Sequence, residues 1–214
     1  VTGVVGADPP AGTARVPDRA RPALDRPLDA FDRALEARFE RWRGRPGATL
    51  AAVAVSNLAD YGLAWSVVAA AKGRRAGPAR RRALQRLAVS GTLSWIVNAA
   101  TKRAVGRARP ENPRSPAAGG APLPVRRPTS SSFPSGHTLA SFCTAVVLAD
   151  GSKEMVAYLA FASAVAASRV QVRAHHPSDV AGGALIGIAT GVLGRSLLRA
   201  VGGNAAGRSD VGQA

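Results

Sequence analysis

Three short stretches carry the residues best able to bind an anion or move a proton. The first is KRAVGRARP, in which Lys102 is followed, after six residues, by Arg109 and Pro110. The second is SFPSGHT, Ser132 to Thr138, with Ser135, Gly136 and His137 in a row. The third is SRVQVRAHHPSD, holding Arg169, His175 and, four residues further on, Asp179. The chain has three histidines, and all of them lie in these stretches. Each block alone has an ordinary reading. A lysine and an arginine at the end of an apolar helix are usually interfacial charges. PSG before a helix is usually a turn with a serine cap. A histidine four residues before an aspartate is often just a local pair.

Together they make a phosphate site. Lys102, Arg109 and Arg169 would form a cationic cup, and guanidinium forks match the oxygens of a phosphate. Ser135 and the amides around Gly136, at a helix start, add donors and a favourable dipole. Gly136 lets the backbone approach closely. Of two histidines, one can attack phosphorus while the other protonates the leaving oxygen. Asp179 can orient one imidazole and stabilise its developing charge. Such chemistry needs no metal and no cofactor, because the cations can stabilise the transition state.

The elements that must bring these blocks together are helical. Leu28, Phe31, Leu35, Phe39 and Trp42 recur at steps of three and four, which predicts an amphipathic helix over 28–42. It either packs on the domain or lies in a membrane interface. Five apolar segments follow, Thr49–Ala71, Ala83–Thr101, Gly136–Ala149, Met155–Ser168 and Val180–Val201. The first qualifies as a span despite Asn57 and Asp60, and the second does if Arg86 snorkels. Gly183, Gly187 and Gly191 form a small-residue stripe suited to close helix packing. The expected fold is all-α, a membrane bundle of about five transmembrane helices preceded by the amphipathic helix. The alternative is a soluble all-α enzyme with buried helices. The expected parts are a tail and amphipathic helix over 1–46, a membrane domain over 47–201 and a C-terminal tail over 202–214, with residues 1–27 mobile. In an up-and-down bundle, the end of the second span, the start of the third, the end of the fourth and the start of the fifth share one side. That side receives all three blocks.

Composition narrows the partners. The net charge of +16 comes almost wholly from arginine, with Lys72, Lys102 and Lys153 the only lysines. Such a balance attracts nucleic acid, anionic lipid or phosphorylated substrate. Few aromatics and no recognisable nucleic-acid module argue against the first. Cys143, alone in an apolar run, excludes an internal disulfide and reads as a small buried hydrophobe. The start of the sequence does not look like a cleaved signal peptide. The basic run Lys72–Arg86 reads as a cytoplasmic loop, but arginines on the opposite side nearly balance it, so charge decides little about orientation.

The pattern K-x6-RP, PSGH, SR-x5-H-x3-D resembles the signature of the phosphatidic acid phosphatase type 2 superfamily, with all three blocks in order between Lys102 and Asp179. The resemblance implies a metal-independent phosphoric ester hydrolase in a bacterial inner membrane. His175 would be the nucleophile, forming a phosphohistidine, with Asp179 orienting it. His137 would be the general acid. Lys102, Arg109, Ser135, Gly136 and Arg169 would bind the phosphoryl group. His176 falls one place off the motif and reads as a loop residue. Arg103, Arg107 and Arg173 read as headgroup or lipid contacts, and Arg126 and Arg127 as either headgroup contacts or solvated loop. The expected partners are a lipid phosphate substrate and membrane lipids.

The PTSSSFPSGH run resembles actinobacterial members, which implies a polyprenyl-linked phosphate such as a decaprenyl-linked phosphoribose as substrate. Phosphatidic acid, phosphatidylglycerol phosphate and undecaprenyl diphosphate are alternatives. Soluble acid phosphatases and vanadium haloperoxidases of the same superfamily are further ones. The family resemblance implies an outward-facing site, whereas a phosphoribose-lipid role favours the cytoplasmic side.

Overall fold

The computed structural model describes residues 25–43, 45–74, 77–110, 123–125 and 129–211, with side chains described from 28 to 201. Among these residues every regular element is helical, as expected. They are α1 (Asp25–Arg43), α2 (Pro46–Leu58), a 3-10 turn (Asp60–Gly62), α3 (Leu63–Lys72), α4 (Pro78–Val105), α5 (Gly136–Leu148), α6 (Ser152–Gln171) and α7 (Pro177–Val211). The rest of the tail expected over 1–27 lies outside the described residues, as do Arg126 and Arg127.

α5 is the central element. Leu139, Cys143, Ala145 and Leu148 are fully shielded from solvent, and α4, α6 and α7 pack around them. Cys143 is buried here, as its apolar setting predicted. The glycine stripe of α7 faces α5 so closely that the two backbones touch. A Cβ at Gly187 would stand 2.4 Å from the Leu139 carbonyl oxygen, and one at Gly183 would stand 2.9 Å from that of Ser135. No larger residue fits this seam. α3 is held to α6 by Trp65, whose ring meets Tyr158 and Phe161 edge-on at 5.7 and 5.4 Å.

The first apolar segment, expected as one span over Thr49–Ala71, is broken. α2 and α3 meet at 57° across the short turn. Tyr61 and Gly62 there have φ of 54° and 70°, in the left-handed region that ends a helix. The polar residues in this apolar stretch explain the break, because both turn toward partners elsewhere. Asn57 Nδ2 donates to the Pro124 carbonyl at 3.0 Å, and Asp60 reaches α5. By length and composition α7, over Pro177–Val201, is the one described helix that can cross a membrane alone. The α2–α3 pair counts as a second if the bent pair is taken as one span. The 13 residues of α5 rise about 20 Å, short of a hydrocarbon core of about 30 Å. Five transmembrane helices are therefore more than these helices establish.

α1 packs on the bundle along α2, α6 and α7. Its polar residues, more than its apolar ones, make the specific contacts. Asp32, Glu36, Glu40 and Arg43 follow one another at helical spacing and all engage the α6–α7 region, as described below.

Candidate active site

The fold gathers all three blocks at one end. α4 and its extension deliver Lys102 and Arg109, α5 begins at Gly136, and the α6–α7 loop carries His175 into Asp179 on the first turn of α7. Lys102, Arg109, Gly136, His137 and His175 line a single cavity of about 580 Å3, continued between α3, α4 and α5 by Trp65, Ser94, Trp95, Asn98, Ser141 and Thr144.

His175 is 2 % exposed, and its two nitrogens are in different settings. Nδ1 lies 2.8 Å from the Ser132 carbonyl oxygen. A carbonyl only accepts, so Nδ1 carries the hydrogen. Nε2 therefore presents a lone pair, and Arg109 Nη1 donates to it at 3.2 Å. Burial, reinforced by the positive charges of Arg109 and Arg169 and opposed by Asp179, pushes the imidazole down to about 4. His175 is thus a neutral base, its lone pair facing the cationic wall.

Asp179 is fully buried, and it orients His175 less directly than expected. Its Oδ2 stands 3.7 Å from His175 Nδ1, beyond hydrogen-bond reach. Instead Oδ2 accepts from the Ser132 hydroxyl and from the His176 amide at 2.9 Å. Its Oδ1 accepts from Arg107 Nη1 at 2.6 Å. Asp179 therefore fixes Ser132, whose carbonyl holds the histidine.

The serine run before the motif is tied down by the cations. Lys102 Nζ donates to the Ser131 carbonyl at 2.7 Å and to Ser130 Oγ at 3.3 Å. Arg109 Nε donates to the Ser130 carbonyl at 3.1 Å, and Nη1 to that of Ala174 at 2.8 Å. Arg109 thereby links the serine loop to the histidine loop. Ser135 occupies the N-cap position of α5, but its side chain makes no capping bond. Its Oγ accepts from Thr138 Oγ1 at 2.9 Å, and its amide donates to the Asp179 carbonyl at 3.1 Å. Gly136 packs under Asn98, where a Cβ would stand 3.1 Å from Oδ1. Arg169, fully buried, donates from Nη1 to Ser56 Oγ of α2, and its carbonyl accepts from the Ala174 and His175 amides at 2.9 and 3.3 Å. Ser135 and Arg169 thus lie beneath the cavity wall, while the other predicted anion-binding residues form it.

Some residues read as peripheral do more. Arg107 and Arg173, expected to meet lipid, are paired with carboxylates of this chain, Arg107 in a part-buried setting and Arg173 at the surface. Arg107 bridges Asp179 to Asp32 of α1, with Nη2 at 2.8 Å from Asp32 Oδ2. Asp32 is 5 % exposed and also accepts from the Ser178 amide and hydroxyl, both at 2.7 Å. Arg173 pairs with Glu40 at 2.7 Å, and His176 Nδ1 lies 3.4 Å from Glu36 Oε1. Arg43 donates to the carbonyls of Val170 and Gln171 at 2.7 and 3.1 Å. α1 is thus a clamp on the histidine loop. Its acidic spacing of four was visible in the sequence, but its target was not. Asp60 was visible too, as a charge inside an apolar segment, which is a functional signal in its own right.

Comparison with known proteins places the chain in a class. The model of the PAP2 superfamily matches residues 83–201, and the chain belongs to that family and is a phosphatase. Among curated relatives it is 33 % identical over 140 residues to decaprenylphosphoryl-5-phosphoribose phosphatase of Mycolicibacterium smegmatis, covering 65 % of this chain and 73 % of the relative. It is 27 % identical over 149 residues to the Mycobacterium tuberculosis protein of the same name, covering 70 % and 80 %. Two solved structures share the fold. LpxE of Aquifex aeolicus has a TM-score of 0.55 at 22 % identity, covering 70 % of this chain and 86 % of that one. A transmembrane PAP2-type phosphatidylglycerolphosphate phosphatase of Bacillus subtilis has a TM-score of 0.63 at 23 % identity, covering 81 % and 87 %.

Proposed function

We propose that this chain is a multi-pass membrane phosphatase that removes the terminal phosphate from a polyprenyl-linked phosphomonoester, decaprenylphosphoryl-5-phosphoribose, through a phosphohistidine on His175. The observation that carries the chemistry is the His175 Nε2 lone pair set against Arg109 in a cavity shared with His137 and Lys102. The similarity to the M. smegmatis relative supports the substrate. An apolar outer face supports the membrane setting, with Leu63, Val67, Trp95, Val156, Leu185 and Val201 each more than half exposed.

In this mechanism Lys102, Arg109 and the Gly136 amide hold the phosphoryl oxygens, while Ser135 and Arg169 support that wall from beneath. His175 Nε2 forms a bond to phosphorus. The bond to the ribose oxygen breaks, and that oxygen takes a proton from His137. Water then attacks phosphorus and gives its proton to His137. The N–P electron pair returns to His175, and inorganic phosphate leaves. His175, His137, Lys102, Arg109 and the Gly136 amide are the protein groups these steps use.

The test is phosphate release in detergent from decaprenylphosphoryl-5-phosphoribose, phosphatidic acid, phosphatidylglycerol phosphate and undecaprenyl diphosphate. The phosphoribose lipid is expected to give the highest kcat/KM, and His175→Ala to abolish turnover of all four. Acid-quenched wild-type enzyme is expected to hold an acid-labile, base-stable phosphoryl group that the variant lacks. Preference for phosphatidylglycerol phosphate would refute the substrate, and undiminished turnover by His175→Ala would refute the nucleophile.

A further inference from the structure

We propose that Asp60 is a positioning residue for proton transfer, the carboxylate partner of His137. Its Oδ1 stands 2.6 Å from His137 Nε2, and both side chains are largely enclosed, 17 % and 16 % exposed. The contact joins the turn between α2 and α3 to the first turn of α5. The break in the apolar segment makes it possible. With left-handed backbone at Tyr61 and Gly62, the chain leaves helical geometry beside Asp60, and the following helix departs at 57°. A carboxylate in so apolar a stretch is costly without a partner, and the partner here is a histidine that lines the phosphate cavity. Asp60 lies outside residues 83–201, which match the family model, so the three motif blocks say nothing of it.

The inference rests on His137 as the proton donor in the proposed reaction. Lys102 and Arg109 share the cavity with His137, and a cationic imidazole there stands among like charges. The Asp60 carboxylate supplies the opposite charge and a charge-assisted hydrogen bond that fixes the ring. The His137 Nε2–H stays on Asp60, and Nδ1 carries the proton that moves. When His175 Nε2 bonds to phosphorus, the ester P–O bond breaks and the leaving oxygen takes the Nδ1 proton. An alcohol and a neutral imidazole result, still hydrogen-bonded to Asp60. In the second half, water loses a proton to Nδ1 as its oxygen bonds to phosphorus. Each histidine then has its own acceptor, the Ser132 carbonyl for the nucleophile and Asp60 for the donor.

The test separates substrates by their need for a proton. p-Nitrophenolate leaves as a stable anion, whereas an alkoxide must be protonated. The full-length chain in detergent is assayed with p-nitrophenyl phosphate, following the p-nitrophenolate burst so that only the first half-reaction is read, and with dodecyl phosphate in single turnover. Asp60→Asn is expected to slow dodecyl phosphate cleavage about 10- to 100-fold, a loss on the order of that for a weakened general acid. The burst should stay within about twofold of wild type, which also shows that the site is folded. Asp60→Glu should recover part of the loss, and Asp60→Asn combined with His137→Ala should be no slower than His137→Ala alone. Equal rates for wild type and Asp60→Asn on dodecyl phosphate would overturn the proposal. So would an equal loss on both substrates, which marks a purely structural residue. His137→Ala is the control for the mechanism itself. If it slows both substrates alike, the donor assignment fails and this inference falls with it. If it is selective and Asp60→Asn is not, only the inference falls.

Discussion

His175 is held as a free base by its surroundings, and that sets a pH dependence. Its folded-state value of about 4 lies below the ordinary 6.5. The Nε2 lone pair, the nucleophile of the proposed mechanism, is therefore present above about 4 and lost as pH falls through that value. In the proposed mechanism the acid limb of kcat/KM for p-nitrophenyl phosphate should lie near pH 4 rather than near 6.5. Arg109→Gln removes a charge that opposes protonation, so it should move that limb upward while weakening phosphate binding. Stability has the same sign. The unfolded chain takes up the proton first, so the contribution of neutral His175 is complete above 6.5 and is lost as pH falls toward about 4. That Lys102, Arg109, His137 and His175 share one cavity could be expected from the sequence, because phosphoryl chemistry demands those residue types together. Ser132, Arg107 and Asp32 could not. They act through a carbonyl, a bridge and a buried carboxylate, whose partners are 43, 72 and 146 residues away in sequence.

At the scale of elements, α1 holds the histidine loop through a polar stripe that periodicity alone reads as solvent-facing. Asp32→Ala would leave the Ser178 amide and Arg107 Nη2 without their acceptor, at a cost of about 2–4 kcal/mol. Thermal unfolding in detergent should show the loss, with kcat falling alongside because Arg107, tied at one end only, braces Asp179 less firmly. The α7 glycine stripe was legible as a packing face, and the structure adds what it packs against. Gly187→Ala forces a Cβ into the Leu139 carbonyl and should cost about 3 kcal/mol, the upper end of the usual overpacking range. Gly91→Ala on α4 meets nothing within 4 Å and should leave the melting temperature near or slightly above wild type. The break between α2 and α3 was missed, although Asn57, Asp60 and Gly62 mark it, because the apolar residues on either side add up to the length of one span. The Asp60, Tyr61 and Gly62 backbone reveals it.

For the whole molecule, the exposed apolar faces of α3, α4 and α7 predict partition. The chain should remain in the membrane fraction through salt and alkaline washes and leave it with detergent. Recovery in the supernatant after a salt wash would contradict the multi-pass proposal. On the proposed reading the functional unit is larger than the family match over 83–201, since Asp32 and Asp60 precede it. A chain trimmed to those limits should keep every motif residue and still lose turnover, read as phosphate release at equal folded protein. The α5–α7 seam has one more consequence. The helix bearing His137 and the helix that follows His175 meet with Gly183 and Gly187 against the Ser135 and Leu139 carbonyls and Gly191 against Val146. A bilayer squeezes the proteins it holds, and that squeeze changes with lipid composition. A seam already at backbone contact has nothing left to give. In the proposed mechanism that seam fixes how closely the helix start that bears His137 can approach the helix that follows His175, whatever lipid surrounds the protein.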